Sequence, residues 1–392
     1  MKLLSVETLS SPHLSQVGLF ETRSGAQISV YFRSTKTVPP LEHSDHFFLI
    51  GALAAYLRGE PYVHAGAVDA TLYQGFHAAM RQWDKWWRQR PINISAEIRD
   101  ASSEPPASGQ ACLMSCGVDS SFTLSQQGDA LSTLIHLIHA DRPGEAAAAH
   151  GLYQNMTGFA QAMNKDLIGV ETNVMTAFRE VEDAWTTISH GACMAAVGHF
   201  LSAEIQELTI SASFSTEQQR PWGSHPAIDP LLSSSAMAFR HQGEAYTRFE
   251  KHAEIARDPI LLKHLSVCEH GPQSGAFVNC SKCQKCLRSM ITLDLLDIDR
   301  AAASSFDWTD YHPAGLKRFL LPGHVNCSEL LAYAEKAGRT DIAAILRDTI
   351  AYADKHHWIV EAEQILRRRF KWILKYKRAL KRLRGAIYGL LN

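Results

Sequence analysis

Hydrophobic and polar positions up to about residue 108 predict a small α+β unit. Two segments alternate between apolar and polar side chains with turn residues between them, as in a β-hairpin. Two longer segments have helical periodicity, and one further alternating segment predicts a strand. In chain order, these five segments are residues 17–25, 26–34, 44–60, 71–87 and 92–98.

From residue 109 the pattern changes to short apolar strands separated by helices. This alternation is typical of an α/β fold, in which a parallel sheet has helices on both faces. Such sheets bind ligands at the carboxyl ends of their strands, where the strand order reverses. The predicted strands are residues 111–114, 132–141, 166–172 and 207–213, and the predicted helices lie near 145–163 and 188–203.

Changes in pattern predict four regions along the 392 residues. They are an N-terminal α+β domain at 1–108, an α/β domain at 109–300, a helical region at 301–356 and a tail at 357–392. Residues 101–110, rich in Pro, Ser and Gly, are the predicted linker between the first two domains. The start of the chain lacks the apolar core of a signal peptide, and no apolar run is long enough to span a membrane, so we expect a cytoplasmic protein.

Charge is unevenly distributed, although the formal net charge is only −1. Ten of the 39 Lys and Arg lie between Arg367 and Arg384, which leaves 29 basic against 40 acidic residues elsewhere, a net of −11. Apolar and aromatic residues recur among these basic residues at near-helical spacing. Such a helix fits an anionic membrane surface or an acidic partner, with peripheral binding at the inner membrane face; nucleic acid and the acidic body of its own subunit are alternatives.

Cysteine spacing predicts a metal site. Four of the eight cysteines form the pattern Cys268-x11-Cys280-x2-Cys283-x2-Cys286. Four thiolates at such spacings can surround one tetrahedral Zn²⁺ in a closed structural site. An iron–sulfur cluster, which also takes four cysteines, is the alternative. In a chain without a signal peptide, this clustering favours metal binding over disulfides.

A glycine-containing turn between the strand at 111–114 and the following helix predicts an anion site. Free backbone N–H groups and the helix dipole attract phosphate at such a turn, and serine hydroxyls can add hydrogen bonds. Asp119 can help to hold Mg²⁺ on pyrophosphate. Alternatively, Asp119 and Ser120 only cap the helix. The residues predicted to bind the cofactor are Ser115, Cys116, Gly117, Val118, Asp119, Ser120 and Ser121.

This turn, SCGVDSS, resembles the S-G-G-x-D-S signature of PP-loop (N-type) ATP pyrophosphatases. Together with the cysteine array, it is similar to the motifs of the 7-cyano-7-deazaguanine synthase family. The resemblance implies an adenine nucleotide alpha hydrolase-like fold, ATP and Mg²⁺ as cofactors, and structural zinc. It also implies cleavage of ATP to AMP and pyrophosphate, with adenylation of a carboxylate or carbonyl oxygen before a nitrogen nucleophile attacks. Cys116 replaces the first glycine, and its side chain could crowd the phosphate.

The segment from residue 212 to 235 predicts a substrate-binding loop, because it is irregular and follows a strand on the expected ligand edge. Arg220 could clamp a carboxylate or phosphate, and Trp222 could stack on a planar group. His225 or Asp229 could transfer protons. The predicted catalytic residues are therefore Asp119, Ser120, Arg220 and His225. An ordinary Pro/Gly loop with a half-buried Trp is the alternative.

Two other functions fit the same sequence. A PP-loop sulfur-transfer enzyme acting on tRNA or a small molecule would need a reactive cysteine outside the metal set, and Cys116 and Cys193 are available. A non-catalytic nucleotide-binding scaffold would use its basic tail for recruitment. A small-molecule or peptide substrate with a carboxylate or carbonyl group is the partner expected of the enzyme, and a homo-oligomer is compatible with each function.

Overall fold

The computed structural model describes residues 1–10, 12–100, 107–138, 146–268, 278–316, 325–356 and 358. The strands are β1 (Lys2–Leu9), β2 (Ser15–Glu21), β3 (Gln27–Ser34), β4 (Tyr62–Asp69), β5 (Ile94–Arg99), β6 (Gly109–Leu113), β7 (Thr133–Ile138), β8 (Asp166–Thr172), β9 (Ile205–Ser211) and β10 (Ala238–Gln242). The helices are α1 (Asp45–Arg58), α2 (Ala70–Trp87), α3 (Val118–Gln127), α4 (Ala146–Ala162), α5 (Val174–Ala177), α6 (Arg179–Asp183), α7 (His190–Phe200), α8 (Arg248–Ile255), α9 (Pro259–His264), α10 (Gln284–Leu295), α11 (Val325–Lys336) and α12 (Thr340–Lys355).

All ten strands belong to one mixed sheet with the order β10-β9-β6-β7-β8-β3-β2-β1-β4-β5. The five strands from β10 to β8 are parallel, and β1, β4 and β5 are parallel to one another. The pairs β8–β3, β3–β2 and β2–β1 are antiparallel. The molecule is therefore an α/β protein with a large, mostly parallel sheet, as the sequence predicts.

Helices cover both faces of the parallel half of the sheet. On β9, Thr209 and Ser211 face α3, because their hydroxyls contact Gln127 and Thr123. Leu208 faces the opposite side, where it packs near Gly198 of α7. This arrangement confirms the predicted helices on both faces.

The N-terminal hundred residues belong to the same compact unit as the α/β region. That unit runs from Met1 to Tyr311, and a second unit begins at His312. The antiparallel pairing of β3 with β8, in the register Arg33↔Glu171, joins the two halves of the sheet. The domain boundaries predicted near residues 108 and 300 stay predictions.

Aromatic packing around α1 holds the two halves together. This helix is apolar on nearly all sides, and its residues from Asp45 to Tyr56 are buried, as expected of a helix enclosed in a core. Phe47 contacts Phe20 and Phe32 edge to face, and Phe32 also packs against Phe200 of α7. Aromatic pairs of this geometry add to the free energy gained from burial alone.

The hairpin, helices α1 and α2 and the strand β5 are confirmed where the pattern predicts them, and so are β6 to β9, α4 and α7. Strands β1, β4 and β10 are additional. Among the described residues, no helix is long and apolar enough to cross a membrane. Six residues of the predicted linker, 101–106, and almost all of the basic tail lie outside the described residues, so the predictions made for them stay predictions.

Candidate functional site

The predicted phosphate loop lies where the strand order of the sheet reverses. It follows β6, whose neighbours are β7 on one side and β9 on the other. In parallel sheets the crevice outside the carboxyl ends of such strands is the usual ligand position. The loop leads directly into α3, whose N-cap is Gly117, and no side chain caps this helix. Its first-turn amides are therefore left to a ligand or to water.

Cys116 has a left-handed backbone conformation, with φ of 54°. A side chain usually disfavours this conformation, which explains why glycine suits the position. The Cys116 side chain is 1% exposed, and its sulfur lies 3.2 Å from the Met156 sulfur. The Cys116 side chain therefore points into the core.

The serines of the loop make different contacts from one another. Ser115 is exposed, and its Oγ accepts a hydrogen bond from the Gly117 amide at 3.3 Å. Ser120 donates to the Gly117 carbonyl oxygen at 3.2 Å and lies 3.3 Å from Ser115 Oγ. Val118 and Ser121 are buried. Ser115 and the loop backbone are thus the accessible groups, whereas the Val118 and Ser121 side chains face the core.

Two cations bind Asp119 at the start of α3. Arg248 Nη2 lies 3.0 Å from one carboxylate oxygen, and Lys251 Nζ lies 3.2 Å from the other. Both cations come from α8, and both contact backbone carbonyls just after β9: Arg248 that of Ser213 at 3.5 Å, and Lys251 that of Ala212 at 2.6 Å. The two strand ends that flank the crevice are thereby connected through Asp119.

Burial lowers the pKa of the Lys251 ammonium, and the Asp119 carboxylate opposes this shift. Sequence reasoning missed both cations of α8. A capping box begins this helix, since Thr247 and Glu250 bond to each other's backbone amides. The capping box is visible in the sequence and predicts that a helix begins here. Arg248 and Lys251 are three residues apart, so they would share one face of that helix.

The predicted substrate loop places a guanidinium beside two aromatic rings. The Arg220 guanidinium carbon lies 4.1 Å from the centre of the Phe214 ring and 5.5 Å from that of Trp222. Its Nε is buried without a hydrogen-bond partner, and burial lowers the pKa of the group. No carboxylate pairs with Arg220 in the described part of the chain. A cation in this setting is able to bind an anion, and the role predicted for Arg220 stays a prediction.

A short series of contacts through Arg248 links this aromatic group to Asp119 in the predicted phosphate loop. Phe214 directly follows Ser213, whose carbonyl oxygen contacts Arg248. Trp222 lies 6.4 Å from the His190 ring, centre to centre. His190 Nδ1 donates to the Trp185 carbonyl oxygen at 2.9 Å, and its Nε2 has no hydrogen-bond partner among the described residues. Burial lowers the pKa of His190, which favours the neutral imidazole with Nε2 as a hydrogen-bond acceptor.

His225 and Asp229 hold the substrate loop in shape. His225 Nδ1 accepts from the Ala227 amide at 3.0 Å, and its ring packs against Trp86. The buried Asp229 carboxylate accepts from Ser224 Oγ at 2.6 Å and pairs with His241 Nδ1 at 2.7 Å. Within the described residues, no contact joins His225 to Asp119 or to Arg220. The predicted proton-transfer role of His225 therefore receives no geometric support.

The four predicted metal ligands lie together. The sulfurs of Cys268, Cys280, Cys283 and Cys286 all lie within 4.8 Å of one another. Tetrahedral zinc with bonds of about 2.3 Å needs sulfurs about 3.8 Å apart, so the donor set fits such an ion. Its hydrogen bond with Cys283, burial and the neighbouring sulfurs raise the pKa of the Cys286 thiol. Ionised sulfurs this close together repel one another, and a bound cation would offset that repulsion.

Three of the four cysteines outside this cluster are poor nucleophiles. Burial raises the pKa of Cys112 to about 12 and raises that of Cys116 and Cys193 further. A thiolate is the reactive form, so these thiols are inert where they lie. Neither Cys116 nor Cys193 has the environment that the sulfur-transfer alternative needs.

No family model matches the chain, and no curated protein or solved structure matches it.

Proposed function

We propose that this protein is an ATP-dependent enzyme of the PP-loop kind that cleaves ATP to AMP and pyrophosphate. A carboxylate or carbonyl oxygen of the substrate attacks the α-phosphorus, the bond to the bridging oxygen breaks, and pyrophosphate leaves. A nitrogen nucleophile then attacks the activated carbon and displaces AMP. This is the chemistry that the resemblance to the 7-cyano-7-deazaguanine synthase family implies.

The main support is the position of residues 115–121 between the ends of β6 and β9, with Arg248 and Lys251 beside them. Pyrophosphate is a highly charged leaving group, and fixed cations and amides that face it lower the barrier to its departure. Arg248 and Lys251 are held in place by Asp119 and by backbone carbonyls. Mg²⁺ bound to the phosphates would complete this charge balance.

Arg220 is the residue that we assign to the substrate. Its guanidinium has aromatic rings beside it and no acidic partner among the described residues. A carboxylate would satisfy its donors in a bidentate arrangement, and Trp222 would contact the rest of the substrate. Zinc at the four cysteines would be structural, because all four coordination positions are filled by protein ligands.

Calorimetry with Mg-ATP tests the proposal on the full-length protein. Asp119→Ala removes the carboxylate that holds Arg248 and Lys251 in position. Because the two cations would then lose their fixed orientation, we expect the substitution to weaken Mg-ATP binding by about tenfold or more. The matched control is Asp129→Ala, because the Asp129 side chain is fully exposed and lies just after α3. Saturable binding should be followed by release of AMP when metabolite fractions containing carboxylates are added.

Two results would contradict the proposal. If folded protein with its metal bound does not bind Mg-ATP, the loop is not a nucleotide site. If Mg-ATP binds but no fraction releases AMP, the protein is the nucleotide-binding scaffold instead of an enzyme.

A further inference from the structure

Asn279 is a buried connection between the cysteine cluster and the phosphate loop. Its side chain makes four hydrogen bonds to backbone groups although the residue is only 2% exposed. The amide oxygen accepts from the N–H groups of Val267 and Cys268 at 2.8 and 3.1 Å. The amide nitrogen donates to the carbonyl oxygens of Leu265 and Ser305 at 2.7 and 3.1 Å. Asparagine is thus used to its full capacity as donor and acceptor.

The segment that Asn279 holds also contacts the phosphate loop. Between Leu265 and Val267 lies Ser266, whose amide donates to the Cys116 carbonyl oxygen at 2.8 Å. Cys116 has the left-handed backbone conformation, which is strained for a residue with a side chain. A strained residue of this kind persists only when its surroundings fix it. The Ser266 hydrogen bond is one of the contacts that fix it.

The cysteine cluster lies on both sides of Asn279. Cys280 follows Asn279 in the chain, and the Cys268 amide donates a hydrogen bond to the Asn279 side chain. Ser281 also has a left-handed conformation, with φ of 58°, and its hydroxyl accepts from the Asp307 amide at 2.8 Å. A metal ion bound to Cys268 and Cys280 would therefore restrain both Asn279 itself, through its neighbour Cys280, and the segment that Asn279 contacts, through Cys268.

We propose that Asn279 is a positioning residue that couples metal binding at the four cysteines to nucleotide binding at the phosphate loop. The inference rests on the proposed function, and it adds that the metal regulates nucleotide affinity. With metal bound, residues 265–268 keep Cys116 in its left-handed conformation, so that the loop amides face the phosphates. Without metal, this support is lost. Coupling is reciprocal, so Mg-ATP must also strengthen metal binding by the same factor.

The test uses the full-length protein loaded with Zn²⁺ or Co²⁺, and the same protein after metal removal by a chelator under reducing conditions. Calorimetry measures the Kd of Mg-ATP for each form. Absorption of the Co²⁺–thiolate site reports directly on the cysteine cluster while Mg-ATP is added. We expect metal removal to weaken Mg-ATP binding by about tenfold or more, and Mg-ATP to shift the Co²⁺ spectrum.

Two variants separate the role of Asn279 from general stability. Asn279→Asp retains the acceptor for Val267 and Cys268 and removes both donors. Asn173→Asp is the matched control, because Asn173 also bridges two backbone groups, the Tyr31 amide and the Ser29 carbonyl. We expect Asn279→Asp to bind one Co²⁺ per chain, to bind Mg-ATP at least about fivefold more weakly, and to lose the spectral shift. Asn173→Asp should behave as the parent in all three measurements.

The outcomes separate the coupling from the proposed function. Equal Mg-ATP affinity with and without metal overturns the coupling and leaves the nucleotide site intact. An Asn279→Asp variant that still shows the full spectral shift overturns the role of Asn279. Metal-loaded parent protein that does not bind Mg-ATP overturns the proposed function, and the coupling with it.

Discussion

Lys251 and Asp119 form an ion pair, 3.2 Å long, in which the lysine is 2% exposed and also donates to the Ala212 carbonyl oxygen at 2.6 Å. Burial disfavours the charged ammonium, so the protein maintains this charge with Asp119 and a backbone dipole. A buried cation beside the proposed nucleotide site should attract phosphate strongly, because little water screens its charge.

We therefore expect Lys251→Met to weaken Mg-ATP binding by about tenfold or more, since methionine has a similar length and no charge. The measurement is calorimetric titration, with urea unfolding to check that the variant is folded. Lys263→Met is the control, because Lys263 is exposed on α9. Parent-like affinity in Lys251→Met would remove this lysine from the nucleotide site.

Cys116→Gly tests the orientation of the Cys116 side chain. Glycine adopts the left-handed conformation without strain, but the contact with Met156 is lost. Because the sulfur faces the core, we expect the Kd of Mg-ATP to change by less than about threefold, which is below 1 kcal/mol. Loss of AMP formation with nucleotide binding intact would instead identify Cys116 as a reactive group and revive sulfur transfer.

Arg220→Gln should separate substrate recognition from nucleotide binding. Arg220 contacts Phe214 and Trp222 instead of the residues around Asp119, so Mg-ATP affinity should stay within about twofold of the parent. AMP release with active metabolite fractions should fall by about a hundredfold, because a carboxylate loses its charged partner. Arg240→Gln, on the exposed side of β10, is the control. Equal turnover in the two variants would exclude Arg220 from the substrate site.

Gly223 makes a close contact between the predicted substrate loop and α7. Its carbonyl oxygen accepts from the Gly191 amide at 2.9 Å, and a Cβ at position 223 would collide with His190 and lie 2.7 Å from the Trp185 carbonyl oxygen. We expect Gly223→Ala to lower the free energy of unfolding by about 2 kcal/mol or more.

Gly158→Ala is the matched control for this prediction. The nearest atom to a Cβ at position 158 is 3.6 Å away, and the residue lies within α4. Alanine should therefore raise stability by about 0.5–1 kcal/mol through its helix propensity. Urea unfolding measures both variants, and equal stability of the two would contradict the close contact at Gly223.

Acid should destabilise the protein through buried neutral histidines. Burial lowers the pKa of His252 to about 4, against 6.5 for an ordinary histidine, and it does the same to His64. Between these pH values the unfolded chain binds more protons than the folded one, so the free energy of unfolding falls as the pH decreases from 6.5 towards 4. At pH 5 the loss is about 2 kcal/mol for His252 alone.

His252→Gln removes this titration and can still bond to Ser289, which His252 Nε2 contacts at 3.2 Å. The difference in unfolding free energy between pH 7 and pH 5 should shrink by about 2 kcal/mol in the variant. Urea titrations at both pH values measure it. A difference as large as that of the parent would mean that His252 is already charged in the folded protein.

Residues close in sequence gave the reliable predictions about this molecule. Hydrophobic alternation predicted the hairpin of β2 and β3. The residues around Gly117 predicted a loop at the carboxyl end of a strand. The cysteine spacing predicted that Cys268, Cys280, Cys283 and Cys286 lie together, and their sulfurs do. These features depend on local geometry, which the order of residue types largely determines.

Features that depend on distant pairing were not predictable in the same way. Strand β1 is mostly exposed, so its hydrophobic pattern is weak, and its place follows only from pairing with β2 and β4. Lys251 is separated from Asp119 by 132 residues. The sequence pattern does not predict the Asn279 contacts either, because an asparagine before a cysteine ordinarily indicates a turn.

The pairing of β3 with β8 has a consequence for synthesis on the ribosome. Strand β3 ends at Ser34 and β8 ends at Thr172, so one edge of the early hairpin stays without its partner while the intervening residues are made. At about 5–20 residues per second, this interval is roughly 7–28 s. An unpaired strand edge is a template for aggregation. We expect the nascent chain to depend on chaperones during that interval. The yield of folded protein should rise when the rate of translation is matched to the supply of chaperones.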